Sequence, residues 1–252
     1  MKHIRSIENQ KIKYLKKLSQ SKYRRENSSF LVENFVIIRD AFFSGYEMEA
    51  IYLTEDFLKH NKFKESKEKI PDSKIFIIDE KINKHVSGLS TPSGVIAVYK
   101  MNEKALDKKE PTIYLNGVSD PGNLGTILRT SLAFGFNNIV CDEKCADIYN
   151  SKTISAAKDA IFKLNIVKDT NLDILKNTKL PIYIADANEG LDVSNFSFPE
   201  NYFLVFGSES HGIDSAVKLL AKDSLKIDIS EKIESLNVSN ALAIFLYEIR
   251  RK

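Results

Sequence analysis

Beyond residue 111 the chain alternates unbroken apolar runs with helical patterns, and this alternation restricts the fold more than any other feature of the sequence. Runs at residues 113–115, 138–141, 181–185, 202–206 and 225–229 read as strands, and helices are expected to begin near Thr126, Ser151, Asp214 and Val238. A strand with no polar alternation is covered on both faces. Strands of that kind, separated by helices, imply an α/β fold built on a mostly parallel sheet.

Upstream the pattern is looser. Strands are expected at residues 29–32, 50–53, 75–78 and 94–99, helices at 35–43 and 80–86, and a charged loop with at most a frayed helix at 59–74. Around residues 100–111 the apolar pattern lapses, and Pro111 closes the stretch. The expected division is an N-terminal domain over 1–99, a linker over 100–111 and a second domain over 112–252, with no internal repeat.

Ten glycines and six prolines in 252 residues, against 43% hydrophobic residues, exclude collagen-like and low-complexity chains. No apolar stretch approaches the ~18 residues of a membrane span, and MKHIRSIENQ lacks the apolar segment of a signal peptide, so no membrane association and a cytoplasmic location are expected. Cys141 and Cys145 are too few for a disulfide framework or an unaided zinc site and read as the end of a buried strand. No metal is expected. His3, His60 and His85 have no motif around them.

The net charge of +3 is unevenly distributed. Residues 1–111 carry 22 basic and 16 acidic side chains, residues 112–252 carry 15 and 18, and the first 25 residues hold nine basic groups against Glu8 alone. Within those 25, Ile4, Ile7, Ile12, Leu15 and Leu18 recur at helical intervals, which gives a helix with an apolar stripe and a cationic face. Such a face is either simply solvated or a phosphate-binding arm. On the second reading Lys11, Lys13, Lys16, Lys17, Arg24 and Arg25 are the candidates for contact with a nucleic-acid backbone.

Ligands of open parallel sheets gather beyond the carboxyl ends of the strands, and three loops there are unusual. The first runs from Asn116 through Asp120-Pro-Gly-Asn-Leu-Gly125 into a helix containing Arg129; it matches neither a dinucleotide fingerprint nor a P-loop, and its N–H groups could hold an anion. Its Gly122-Asn-Leu-Gly125 also satisfies a GxxG pattern, too short to weigh much. The second, Gly207-Ser-Glu-Ser-His-Gly212, sets Glu209 between two glycines at the end of a buried strand, where its carboxylate needs partners or water; Ser210 or Asp214 could cap the next helix. The third leads through Ser235, Leu236 and Asn237 into a terminal helix. One of its two polar residues suffices as a cap. That helix carries Leu242, Phe245, Leu246 and Ile249 on one stripe with Ala241 and Ile244 beside it, an apolar face wide enough to bury on two sides.

Together, Asp120-Pro-Gly-Asn-Leu-Gly-Thr-Ile-Leu-Arg-Thr130, Phe206-Gly-Ser-Glu-Ser-His-Gly212 and Glu234-Ser-Leu-Asn-Val-Ser239 resemble the SpoU (TrmH-like) family of S-adenosylmethionine-dependent RNA 2'-O-ribose methyltransferases, part of the SPOUT class. The resemblance covers roughly residues 112–252. A fainter one, through Phe30-Leu-Val-Glu33 and Thr91-Pro-Ser-Gly-Val-Ile-Ala97, links the N-terminal half to a small α/β substrate-binding domain of ribosomal-protein-like fold. The family implies a deep trefoil knot in the C-terminal part of the sheet, a cofactor held there largely by backbone groups at Gly207, Ile227 and Leu236, and a homodimer that gives the terminal helix a partner.

Carried over by the resemblance, Asn123, Arg129, Glu209, Ser235 and Asn237 are the residues expected to serve the chemistry. A ribose hydroxyl is a poor nucleophile until its proton leaves or its growing charge is stabilised. Arg129 matches the activating arginine; since a guanidinium stays protonated, electrostatic support of the alkoxide or a neighbouring phosphate is the physically easier role. Glu209 and Asn123 are expected to orient it, with Ser235 and Asn237 completing the pocket. The chain departs from the family pattern at Asn34, Asp159, Ser210, Asp228 and Glu231. Ribosomal RNA is the favoured substrate over transfer RNA, and the competing class is a non-catalytic RNA-binding or ribosome-assembly protein of the same fold.

Overall fold

The computed structural model describes residues 1–251. It forms two compact units: Met1–Asn102 with Tyr149–Ser155, and Glu103–Ile148 with the residues from Ala156 on.

The first unit runs β1 (Lys2–Ile4), α1 (Gln10–Leu18), α2 (Ser21–Asn27), β2 (Ser29–Val32), α3 (Phe35–Phe43) and β3 (Met48–Leu53). It continues with α4 (Glu55–Leu58), α5 (Asn61–Lys67), β4 (Ile75–Ile78), α6 (Glu80–Val86) and β5 (Val95–Lys100). The sheet order is β1-β4-β3-β5-β2, with β1, β4 and β3 parallel and β5 antiparallel to both its neighbours. Asn9 caps α1 by accepting the Lys11 N–H at 2.9 Å. The helix then buries Ile12, Leu15 and Leu18 against Ile4, Tyr52, Phe76 and Ile96 of the sheet. Tyr149 belongs to this unit as well: its ring stacks on Phe30 at 4.3 Å, and its hydroxyl meets that of Tyr46.

Two expectations change here. The first 25 residues are not an appended arm, because β1 is a sheet edge and α1 supplies part of the core. The charged stretch 59–74 holds a real helix, α5, anchored by the fully buried Phe63; one apolar residue among so many charges leaves no periodicity to read.

The second unit begins β6 (Thr112–Asn116), α7 (Pro121–Ala133) and β7 (Asn138–Cys141). After α8 (Ser151–Ala157) it runs α9 (Ala160–Lys163), β8 (Asn165–Lys168), α10 (Asp173–Asn177), β9 (Ile182–Ala185) and β10 (Leu191–Asp192). It ends with β11 (Phe203–Gly207), α11 (Ser215–Lys218), β12 (Asp223–Lys226) and α12 (Val238–Arg251). All seven strands are parallel, in the order β10-β12-β9-β11-β6-β7-β8. The central strands are buried on both faces, as their unbroken apolar runs require: Ile113, Tyr114, Leu115, Leu204 and Val205 have no exposed surface.

The α7 helix starts at Pro121, five residues before the expected Thr126. Proline suits the first helical turn, and Asp120 caps it by accepting the Asn123 N–H at 2.7 Å. The Asp120-Pro-Gly-Asn-Leu-Gly125 segment is therefore mostly helix, and the helix end that could hold an anion already carries its own carboxylate. The β12 strand is also displaced: it stops at Lys226, so Ile227 and Ile229 leave the sheet. Among the described residues no helix is long and apolar enough to cross a membrane, and no group of three His, Cys, Asp or Glu side chains could hold a metal ion.

Candidate functional site

At the carboxyl ends of β9, β11 and β12 lies a cavity of about 280 Å³. Phe206, Ile213, Ile227, Ile229, Leu236, Val238 and Phe245 give it an apolar wall, and Gly207, Glu209, Ser235 and residues 185–188 give it a polar rim. The three expected cofactor positions, Gly207, Ile227 and Leu236, all line it. The apolar character of residues 227–229 thus belongs to this wall rather than to a strand.

The backbone beside Gly207 leaves no space for a side chain. A Cβ there would stand 2.3 Å from the Gly212 carbonyl carbon, because Ser208 and Gly212 exchange both backbone hydrogen bonds, at 3.0 and 2.9 Å. That exchange pinches the loop and projects Glu209, Ser210 and His211 as its tip. Ser210 spends its hydroxyl on His211 Nδ1 at 2.7 Å and does not cap α11; both residues are exposed.

Three of the expected site residues meet at one oxygen. Asn123 Nδ2 donates to Glu209 Oε1 at 2.8 Å, and Asn237 Nδ2 donates to the same oxygen and, at 3.1 Å, to Asn123 Oδ1. Asn237 Oδ1 meanwhile accepts the N–H and hydroxyl of Ser239 at 3.0 and 2.6 Å, which settles the cap of α12 in its favour. Residues 123, 209 and 237, far apart in the chain, are joined because α7, β11 and α12 all begin or end at this edge of the sheet. Ser235 is exposed on the cavity rim with no hydrogen-bond partner among the described residues.

Arg129 stands apart. It is exposed and makes no hydrogen bond or ion pair with Glu209, Asn123 or any other of the described residues. Helix geometry gives the reason: six residues along α7 carry it about 9 Å up the axis and about 120° around from Asn123. Its charge reaches Asp159, whose carboxyl is held below the usual range mainly by the hydrogen bond from Lys163.

The cationic candidates divide. Lys11 lies 4.8 Å over the Phe76 ring and Lys17 5.5 Å over Tyr23, while Lys13 pairs with Glu8 at 2.6 Å and Lys16 donates to the His85 carbonyl at 2.8 Å. All four, with Arg25, are exposed. Arg24 is a correction: it is 4% exposed and donates to the Leu18 and Ser19 carbonyls at 3.0 and 2.8 Å, satisfying the C-terminal end of α1 rather than facing solvent.

The loop after β9 escaped the sequence reading although it also follows a strand. Burial pushes the Asp186 carboxyl up, but the N–H groups of Asn188 and Glu189 and the Lys218 ammonium at 2.9 Å outweigh it and hold it below the usual carboxylate range. The Cys145 thiol donates to the Leu115 carbonyl at 3.2 Å, and its contact with Cys141 together with burial raises its pKa, so it is an inert structural thiol.

Residues 110–247 match the SpoU rRNA Methylase family, and residues 9–97 match the MRM3-like substrate binding domain. The 23S rRNA (guanosine(2553)-2'-O)-methyltransferase RlmP of Bacillus subtilis is 28% identical over 99% of this chain and 100% of its own. A structure assigned to the TrmH family of RNA methyltransferases, from Porphyromonas gingivalis, superposes with a TM-score of 0.83 at 30% identity, covering 95% of this chain and 96% of that one. The AdoMet-bound rRNA methyltransferase of Sinorhizobium meliloti shares the fold, with a TM-score of 0.87 at 22% identity over 99% and 97% of the two chains.

Proposed function

The chain belongs to the SpoU rRNA methylase family of RNA 2'-O-ribose methyltransferases, and from that premise we propose that it methylates a ribose 2'-hydroxyl of ribosomal RNA with S-adenosylmethionine as donor. The observation that carries the reading is the Glu209, Asn123 and Asn237 cluster at the rim of an apolar cavity. The 23S rRNA specificity of the Bacillus relative favours ribosomal over transfer RNA.

The cavity suits the donor. Its apolar wall fits an adenine ring, its polar rim along Gly207 and residues 185–188 fits the ring edge and ribose, and Glu209 brings a carboxyl group to the rim. Bound there, S-adenosylmethionine supplies an electrophilic methyl on a sulfonium. The chain's own residues supply position and charge. Glu209 has one oxygen fixed by two amides, which leaves the other for a guanidinium or a ribose hydroxyl. Arg129, with no ion pair among the described residues, is the cation that supports the developing alkoxide or an adjacent phosphate.

The remaining parts of the reading follow the same family. The route from β12, next to the sheet edge, through residues 227–237 to α12 packed on α7 supports a trefoil knot around the cavity. Ile244 and Tyr247, 38% and 53% exposed on α12, support a homodimer through that helix. Unit one, with Lys11, Lys13, Lys16, Lys17 and Arg25 outward, holds the RNA.

The decisive experiment incubates purified protein with methyl-labelled donor and ribosomal RNA from cells lacking the gene, then maps 2'-O-methyl sites. One modified ribose is expected. Donor binding without transfer to either ribosomal or transfer RNA would favour the binding-protein reading instead.

A further inference from the structure

A second polar assembly sits at the carboxyl ends of β6 and β7. Asn116, the last residue of β6, is 2% exposed. Its Oδ1 accepts the Asp214 N–H at 2.7 Å, and its Nδ2 donates to Asp142 Oδ2 at 2.8 Å and to Asp214 Oδ2 at 3.0 Å. Asp142, 5% exposed, uses its other oxygen on the N–H groups of Gly117, Lys144 and Cys145 at 3.1, 3.0 and 3.0 Å. The Lys144 ammonium closes on Asp214 at 2.7 Å.

This assembly bears on the loop that carries Glu209. The loop leaves β11 at Gly207, which is paired in register with Asn116, and it ends at Asp214, which the Asn116 side chain holds. One residue therefore grips both ends of the loop, by its backbone at one and its side chain at the other. The Ser208 and Gly212 exchange pinches the middle, so the position of Glu209 is fixed by its two anchors.

We propose that Asn116 is a positioning residue for methyl transfer: its amide clasps Asp142 and Asp214 so that Glu209 stands within reach of Asn123 and Asn237. The assignment rests on the methyltransferase reading above. An amide is required by the charges around it. Asp142 and Asp214 both present carboxylate oxygens, Lys144 is the one ammonium among the described residues within bonding distance, and His211 acts on Asp214 only through space. The Cys145 thiol and the Tyr114 hydroxyl, itself bonded to Asp169 at 3.0 Å, flank Asp142 and are neutral. A carboxylate in place of Asn116 would repel both acids and would regain a donor only when protonated. Like charges raise the pKa of such a group, so lowering the pH restores the donor more readily than it would for a free carboxyl.

The test compares N116D, N116L and the parent protein in methyl transfer between pH 6 and 8, with donor affinity measured by calorimetry. At pH 8, N116D is expected to keep less than a tenth of the parent kcat with donor Kd within threefold. Its kcat relative to the parent should climb at least fivefold by pH 6, while N116L stays low throughout. A ratio that does not change with pH, or parental kcat in either variant, overturns the proposal. If N116L fails to fold, the pH dependence of N116D decides alone. If the parent itself transfers no methyl group, the functional reading has failed, and the clasp is read from amide hydrogen exchange over residues 208–213: faster in N116D at pH 8 and parental at pH 6 if the clasp exists, parental at both if it does not.

Discussion

Asn237 joins a helix cap to the proposed site in one side chain. Its Oδ1 caps α12 and its Nδ2 holds Glu209. Asn237→Ala removes both and should cost about 1 kcal/mol of stability along with most of kcat. Asn237→Asp keeps an acceptor for the cap but sets a carboxylate against Glu209, so thermal melting should stay near the parent value while methyl transfer falls more than tenfold. Parental transfer in both variants would remove Asn237 from the site. Arg129→Ala is expected to abolish transfer while calorimetry shows donor affinity intact; full activity would leave the guanidinium without the role given to it. Elsewhere, Asn83 is 1% exposed with both side-chain polar atoms unpartnered among the described residues. Asn83→Leu should therefore stabilise the fold by about 2 kcal/mol, read as a higher unfolding midpoint. At this scale the sequence identifies residue types but not their neighbours. Resemblance to the family's three loops makes Asn123, Glu209 and Asn237 visible, whereas Arg24 counts as a surface cation until its burial against the end of α1 is seen.

Elements explain which expectations held. The apolar runs at 29–32, 75–78 and 138–141 coincide with β2, β4 and β7, since residues buried on both faces leave no ambiguity of period. The runs fail where an apolar residue serves something other than the sheet: Ile227 and Ile229 wall the cavity and lie beyond β12. The β1 and β8 strands were invisible for the opposite reason. One is three residues long, and the other is a half-exposed edge strand. The β11 to α11 connection yields a direct test, because a Cβ at Gly207 meets backbone on the far side of the pinch. Gly207→Ala should open the loop and weaken donor binding at least tenfold by calorimetry while circular dichroism stays unchanged; undiminished affinity would show that the loop does not border the donor.

For the whole molecule, the charge division becomes meaningful once α1 is seen to be part of a folded unit. Removing residues 1–25 would strip a sheet strand and Ile12, Leu15 and Leu18 from the core, so weakened RNA binding by such a truncation would say nothing about charge. Substituting the exposed Lys13, Lys17 and Arg25 by Gln is the cleaner experiment. It should reduce the slope of log affinity against log salt by nearly 3 on a duplex and by about 2 on a single strand if each side chain neutralises one phosphate; an unchanged slope would leave that face merely solvated.

The interleaving of the two units in the sequence has a consequence for synthesis. A nascent domain usually folds as it leaves the ribosome, before the next one is made. Here the Phe30 ring, stacked on Tyr99 at 6.1 Å, gains its closer partner, at 4.3 Å, only when Tyr149 emerges, after β6, α7 and β7 have already been translated. The first unit therefore reaches its final packing late, alongside the half-built second, and splitting the gene after residue 102 would give a fragment missing part of its own interior.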